Sequence, residues 1–107
     1  MNTTKVWYVT GASQGLGLSL VKQLLAAGYR VAATSRSAAD LQKAAGINDP
    51  ARFLPLEVDL SDAAAIRHSI EDTVARFGTI DVVVNNAGYG MEGTVEELDE
   101  KSMRAIF

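Results

Sequence analysis

The sequence predicts an α/β fold in which a doubly wound parallel sheet carries helices on both faces. Three observations lead to it. Short β-branched and aromatic runs alternate with segments whose apolar residues repeat at helical spacing, the pattern of strand-helix units in a parallel sheet. The first run, Lys5 to Thr10, passes through a glycine-rich turn directly into the first amphipathic segment. The run Ile80 to Val84 is apolar but for Asp81, and its continuous Val82-Val83-Val84 suits a strand buried on both faces.

Taken in order, Lys5 to Thr10 (KVWYVT) is a first strand stopped by Gly11. Gly15 to Ala27 is a helix with Leu16, Leu20 and Leu24 at helical spacing, Leu18, Val21 and Leu25 beside them, and Gly28 as its stop. Arg30 to Thr34 is a second strand, followed by a short alanine-rich helix, Ala38 to Ala45, that ends near Gly46 and Pro50. Arg52 to Val58 is a third strand, and Pro55, which cannot donate to a sheet ladder, assigns it to an edge. Ser61 is the expected N-cap of a helix running through Phe77, with Ile66, Ile70, Val74 and Phe77 on its inner face and Gly78 as its end. Ile80 to Val84 is the fourth strand. Val95 to Phe107 is acidic and then helical in character, and the chain stops inside that pattern. The expectation is therefore one domain, residues 1–107, truncated after the fourth strand and the start of the following helix.

Composition narrows the class of function. At 107 residues and 48% hydrophobic content, the chain can bury a core of its own. Ten Lys and Arg against 13 Asp and Glu give a formal charge of -3, which offers no general attraction for nucleic acid or an anionic membrane. Neither partner is expected, and any phosphate site must be local. With no cysteine, a disulfide framework and a thiolate metal site are both excluded. The polar start, Met1 to Lys5, precedes too short an apolar run for a signal peptide or a membrane span, so the expected location is the cytoplasm.

The chemistry-bearing residues lie after the strands. In Thr10-Gly11-Ala12-Ser13-Gln14-Gly15-Leu16-Gly17, Gly11 permits a tight turn off the strand, Gly15 a close backbone approach to a pyrophosphate, and Gly17 close packing of helix on strand. The helix then directs free N–H groups and its positive dipole end at the phosphates. Three glycines alone would also serve as plain turn geometry, and their spacing, G-x-x-x-G-x-G, differs from the general G-x-G-x-x-G fingerprint. Beyond the second strand, about 20 residues past the glycines, such a fold places the group that reads the adenosine ribose. An acidic residue there would accept from a 2′-hydroxyl and repel a 2′-phosphate. This chain has Ser35-Arg36-Ser37. A guanidinium with two hydroxyls suits a phosphate dianion, a contact worth roughly 1.5 to 3 kcal/mol, or roughly tenfold to a hundredfold in favour of NADP(H) over NAD(H). The alternative is a solvated loop charge. Asp59 follows the third strand and Asn85-Asn86-Ala87-Gly88 the fourth, at the strand ends where open parallel sheets form their ligand crevice. Asp59 taken alone reads equally as a turn residue ahead of Ser61.

The segments TGASQGLG, Asp59-Leu60 and NNAG, taken together, resemble the short-chain dehydrogenase/reductase family over nearly the whole chain, from Lys5 to Phe107. The resemblance implies a Rossmann-like sheet of strand order 3-2-1-4. It implies that Gly11, Ser13, Gln14, Gly15, Leu16 and Gly17 border the pyrophosphate and adjacent ribose, that Ser35 and Arg36 meet the 2′-phosphate, that Asp59 and Leu60 meet the adenine, and that Asn86, Ala87 and Gly88 lie on the adenosine side. In relatives that use NADP a basic residue often follows the position of Ser13. Gln14 stands there, so the preference for NADP(H) over NAD(H) rests on Arg36.

The resemblance also implies chemistry that these residues do not carry. The family uses a Tyr-x-x-x-Lys pair with a serine and usually an asparagine, the tyrosine exchanging a proton with the substrate oxygen. Tyr8, Tyr29 and Tyr89 are followed four residues later by Ala12, Ala33 and Gly93. His68 is turned about 200° from the neighbouring apolar positions Ile66 and Ile70 and reads as a surface residue, not a base. The acidic stretch Glu92, Glu96, Glu97, Asp99 and Glu100 reads as a solvated loop and helix start, not a metal site. No catalytic residue is therefore assigned. The expectation is the NADP(H)-binding portion of an oxidoreductase that transfers hydride between NADP(H) and an alcohol or carbonyl, inactive by itself; the other reading is a stand-alone, non-catalytic nucleotide-binding or regulatory module. An order of 3-2-1-4 with nothing beyond it leaves the fourth strand on an open edge, an expected template for self-association.

Overall fold

The computed structural model describes residues 5–12, 15–47 and 49–85, together with the backbone of 94–97. In chain order it contains β1 (Val6–Val9), α1 (Gly15–Ala26), β2 (Arg30–Ser35), α2 (Ala38–Ala45), β3 (Phe53–Glu57), α3 (Ala63–Phe77), β4 (Val82–Asn85) and β5 (Thr94–Glu97). The sheet order is β3-β2-β1-β4-β5. The first four strands are mutually parallel, as the alternation of elements predicts, with Tyr8 opposite Ala32 and Val83. β3 is an edge strand, and Pro55 sits in it opposite Ala33.

Alternation along the strands sorts the core into two layers, because successive side chains point to opposite faces. Val9, Val31, Ala33, Phe53, Val82 and Val84 face α1 and α2, where they meet Val21, Leu24, Leu25, Leu41 and Ala45. Val6, Tyr8, Ala32 and Val83 face the other way, against Phe77 and Ile80 with Leu54, Leu56, Ile70 and Val74 packed at the margin. One sheet thus carries helices on both faces.

The helices depart from their expected faces in instructive ways. α1 buries Gly17, Val21, Leu24 and Leu25, so the stripe is turned away from Leu16, which is 75% exposed. α3 buries Ser69, Thr73 and Phe77, while Ile66, Ile70 and Val74 are only half-buried. The cause is Tyr8: its hydroxyl is fully buried and meets Ser69 Oγ at 2.6 Å, and a buried hydroxyl requires a partner. Ser69 Oγ itself donates to Ile66 O at 2.7 Å, and Thr73 Oγ1 donates to Ser69 O at 2.7 Å, so both inward hydroxyls are satisfied.

The N-cap of α3 is Asp62 and not Ser61: Asp62 Oδ1 accepts from the N–H groups of Ala64 at 3.0 Å and Ala65 at 3.2 Å. Ser61 is instead engaged with Asp59. The expected open edge of β4 is also corrected. Thr94–Glu97 runs antiparallel beside β4, with Val84 opposite Val95, so β4 is paired on both sides and the edge passes to β5. The remainder of the terminal segment expected to be helical, residues 98–107, lies outside the described residues.

Candidate functional site

The carboxyl ends of the parallel strands open into a cavity of about 540 Å³ lined by Gly11, Thr34, Ser35, Arg36, Ser37, Asp40, Val58, Asp59, Leu60 and Ser61. Three separate turns supply these residues: the one after β1, the one between β2 and α2, and the one after β3. Six of the residues singled out in the sequence, Gly11, Ser35, Arg36, Ser37, Asp59 and Leu60, share this wall. Ser13, Gln14, Asn86, Ala87 and Gly88 lie outside the described residues.

The turn after β1 is tied to its neighbours by short bonds. Thr10 N–H donates to Val84 O at 3.0 Å and Ala12 N–H to Thr34 O at 2.9 Å, so the chain leaving β1 is pinned to β4 and β2 at once. Gly11, at φ 61, donates its N–H to Thr34 Oγ1 at 3.3 Å. Thr10 Oγ1 donates to Asn85 Oδ1 at 3.2 Å, joining the ends of β1 and β4. Gly15 opens α1 at φ 65, and a Cβ built on it would meet no atom within 4 Å. Glycine stands there for its backbone conformation, and the space where a side chain would stand is open to a ligand. Gly17 is buried in α1, and Leu16 beside it is exposed.

Between β2 and α2 the polar groups organise one another. Ser37 is the N-cap of α2, its Oγ accepting from Asp40 N–H at 3.2 Å. Ser37 N–H donates to Ser35 Oγ at 3.3 Å, and Ala38 N–H to Glu57 Oε1 at 3.4 Å. These N–H groups at the start of α2 are thus occupied by side chains of the protein. Arg36, exposed beside them, is the cation of the cavity wall among the described residues.

After β3, Ser61 donates its backbone N–H at 2.9 Å and its hydroxyl at 2.7 Å to Asp59 Oδ1. These two bonds, the side-chain one foremost, hold the Asp59 carboxyl below its ordinary range, and the positive charge of Arg36 adds to the shift. The interaction places Arg36 and Asp59 in one electrostatic neighbourhood. Leu60 is 36% exposed, an apolar surface on the same wall.

Sequence reasoning passed over Thr34, Asp40, Val58 and Ser61 as lining residues. Thr34 and Val58 are fixed there by strand register, since Val58 N–H reaches Ser35 O at 2.8 Å, a pairing that local pattern does not reveal. Asp40 carried a usable signal, lying three residues after the cap Ser37 and therefore on the first turn of α2. His68 is exposed on α3. Among the described residues, no group of three or more His, Cys, Asp or Glu is placed to hold a metal ion, and no helix is long and apolar enough to cross a membrane.

The family model for short chain dehydrogenases matches residues 5–107. The chain is 36% identical over 96 residues to Oxidoreductase BOA17 of Botryotinia fuckeliana, covering 90% of this chain and 35% of that protein. The chain spans about a third of the length of curated relatives such as this one. Among solved structures, it is similar to a short chain dehydrogenase from Bacillus anthracis, with TM-score 0.72 and 30% identity over 78% of this chain and 34% of that one. It is also similar to the 3-ketoacyl-(acyl-carrier-protein) reductase from Brucella melitensis complexed with NADH, with TM-score 0.67 and 30% identity over 74% of this chain and 32% of that one.

Proposed function

Because this chain belongs to the short chain dehydrogenase family, we propose that it is the NADP(H)-binding portion of an oxidoreductase that transfers hydride between NADP(H) and an alcohol or carbonyl substrate. The observation that carries this reading is the shared cavity. The turn after β1, the Ser35-Arg36 step after β2 and the Asp59-Leu60 step after β3 converge on one wall at the carboxyl ends of parallel strands. That is where open parallel sheets bind ligands.

The residues fit the group. The open space at Gly15 admits a pyrophosphate against the start of α1, whose first N–H groups have no partner within the helix. Arg36, with Ser35 beside it, receives the 2′-phosphate by a charge-assisted contact. Asp59, held ionised by Ser61, accepts from the adenine amino group, and Leu60 offers an apolar surface to the ring. Gly11, Ser13, Gln14, Leu16 and Gly17 border the pyrophosphate and adjacent ribose, and Asn86, Ala87 and Gly88 the adenosine side. When bound, NADPH would supply the hydride to a carbonyl, and NADP+ would accept it from an alcohol.

The chain by itself binds and orients the cofactor. It contains no Tyr-x-x-x-Lys pair to exchange a proton with the substrate oxygen, so it turns nothing over alone and acts as one incomplete domain of the oxidoreductase. The test is a titration of the 107-residue chain with NADPH and NADH, followed by cofactor fluorescence, beside an assay of NADPH-dependent carbonyl reduction. Saturable binding that favours NADPH, without turnover, is the expected result. Failure to bind either cofactor, or turnover that follows the 107-residue species through purification, overturns the reading.

A further inference from the structure

From the cavity wall we infer that Asp40 is a second cofactor-discriminating residue, a carboxylate that opposes Arg36 and limits how strongly this site prefers a 2′-phosphate. The inference rests on the reading of the cavity as an NADP(H) site. Among the described residues that line it, Arg36 alone carries a positive charge, and Asp40 and Asp59 each carry a negative one. The two carboxylates are not equivalent. Asp59 is engaged by both donors of Ser61 and is drawn to its charged form partly by Arg36. Asp40 lies across the β2–α2 turn in the first turn of α2, and its backbone is fixed by the bond from its N–H to Ser37 Oγ at 3.2 Å. That bond uses the backbone, and Asp40 is an exposed residue of the wall.

The start of α2 does little to offset this charge. The N–H of Ser37 is given to Ser35 Oγ at 3.3 Å, that of Ala38 to the carboxylate of Glu57 at 3.4 Å, and that of Asp40 to Ser37 Oγ. A phosphate seated at Arg36 thus meets one guanidinium, with helix donors largely committed and a carboxylate within the same cavity. A ribose carrying a 2′-hydroxyl has no charge for Asp40 to repel. The effect of Asp40 therefore falls on NADP(H) and spares NAD(H), and it is opposite in sign to that of Arg36.

The experiment compares NADPH and NADH affinities, read by cofactor fluorescence, for the unaltered chain, Asp40→Asn and Asp40→Ser. Asp72→Asn, an exposed carboxylate on α3, is the control for net charge alone. The same comparison with 2′,5′-ADP and 5′-AMP confines the effect to the adenosine end. Circular dichroism verifies that each variant is folded, and the serine variant guards against a defect peculiar to asparagine. Removing one partly solvated charge near a phosphate dianion is expected to tighten NADPH and 2′,5′-ADP by about three- to tenfold, while NADH and 5′-AMP stay within about twofold. Asp72→Asn should leave all four unchanged. Equal changes for phosphorylated and unphosphorylated ligands, or the same gain from Asp72→Asn, would overturn the role of Asp40 alone. Absence of binding by the unaltered chain would overturn the NADP(H) reading itself.

Discussion

Ser61 gives both its backbone N–H and its hydroxyl to a single oxygen of Asp59, at 2.9 and 2.7 Å. The pair forms the turn from β3 toward α3, frees Asp62 to cap the helix, and keeps an ionised carboxylate on the cavity wall.

The folded-state pKa of Asp59 is lowered, so its contribution to stability is present above the unfolded-state value of 3.8 and is lost as pH falls through the folded value. Ser61→Ala removes the hydroxyl bond and should raise the Asp59 pKa toward its ordinary value, as followed by NMR titration of the carboxyl carbon. An unchanged pKa would show that Ser61 does not govern Asp59.

Tyr8 and Ser69 join β1 to α3 through a buried contact. Ser69→Ala removes the serine hydroxyl from this buried contact and should cost about 1–3 kcal/mol in urea unfolding. Tyr8→Phe should cost less than Ser69→Ala, because Ser69 keeps its bond to Ile66 O. Adding Tyr8→Phe to Ser69→Ala should recover part of the loss. Burial raises the Tyr8 pKa above the ordinary 10.0, so this stabilisation is full below that pH and is lost as pH rises through the folded value.

Gly15 separates strain from ligand approach. Gly15→Ala forces a side chain into φ 65 and should cost about 1–2 kcal/mol of stability, although the new methyl group meets no protein atom within 4 Å. If the pyrophosphate uses that space, NADPH affinity should fall severalfold under conditions where the variant is still fully folded by circular dichroism. A folded variant with unaltered affinity would place the pyrophosphate elsewhere.

The parts of this fold that local chemistry dictates were legible in the sequence. Gly46 and Gly78 close α2 and α3 in the left-handed conformation, Pro55 lies in an edge strand, and Val82 to Val84 are buried. What required the third dimension was every choice between equivalent local options. Ser61 and Asp62 are both competent caps, and the carboxylate of Asp59 decides between them by taking Ser61. The inner face of α3 turns toward Ser69 because of a hydroxyl 61 residues away, on β1. The partner of β4 was missed because Thr94–Glu97, part of an acidic stretch, has little apolar alternation to mark it as a strand. In the site, the residues nearest the glycine turn and the strand ends were visible one at a time. Thr34 and Val58 join them only through the register of β2 and β3.

Whether Arg36 reads a 2′-phosphate in the cavity at the strand ends is decided by the NADPH and NADH affinities of Arg36→Ala beside those of the unaltered chain. The expected result is a loss of about 1.5 to 3 kcal/mol for NADPH, roughly tenfold to a hundredfold, with NADH almost untouched. Equal losses for both cofactors would contradict it and would mean that Arg36 supports the β2–α2 turn instead of reading the phosphate.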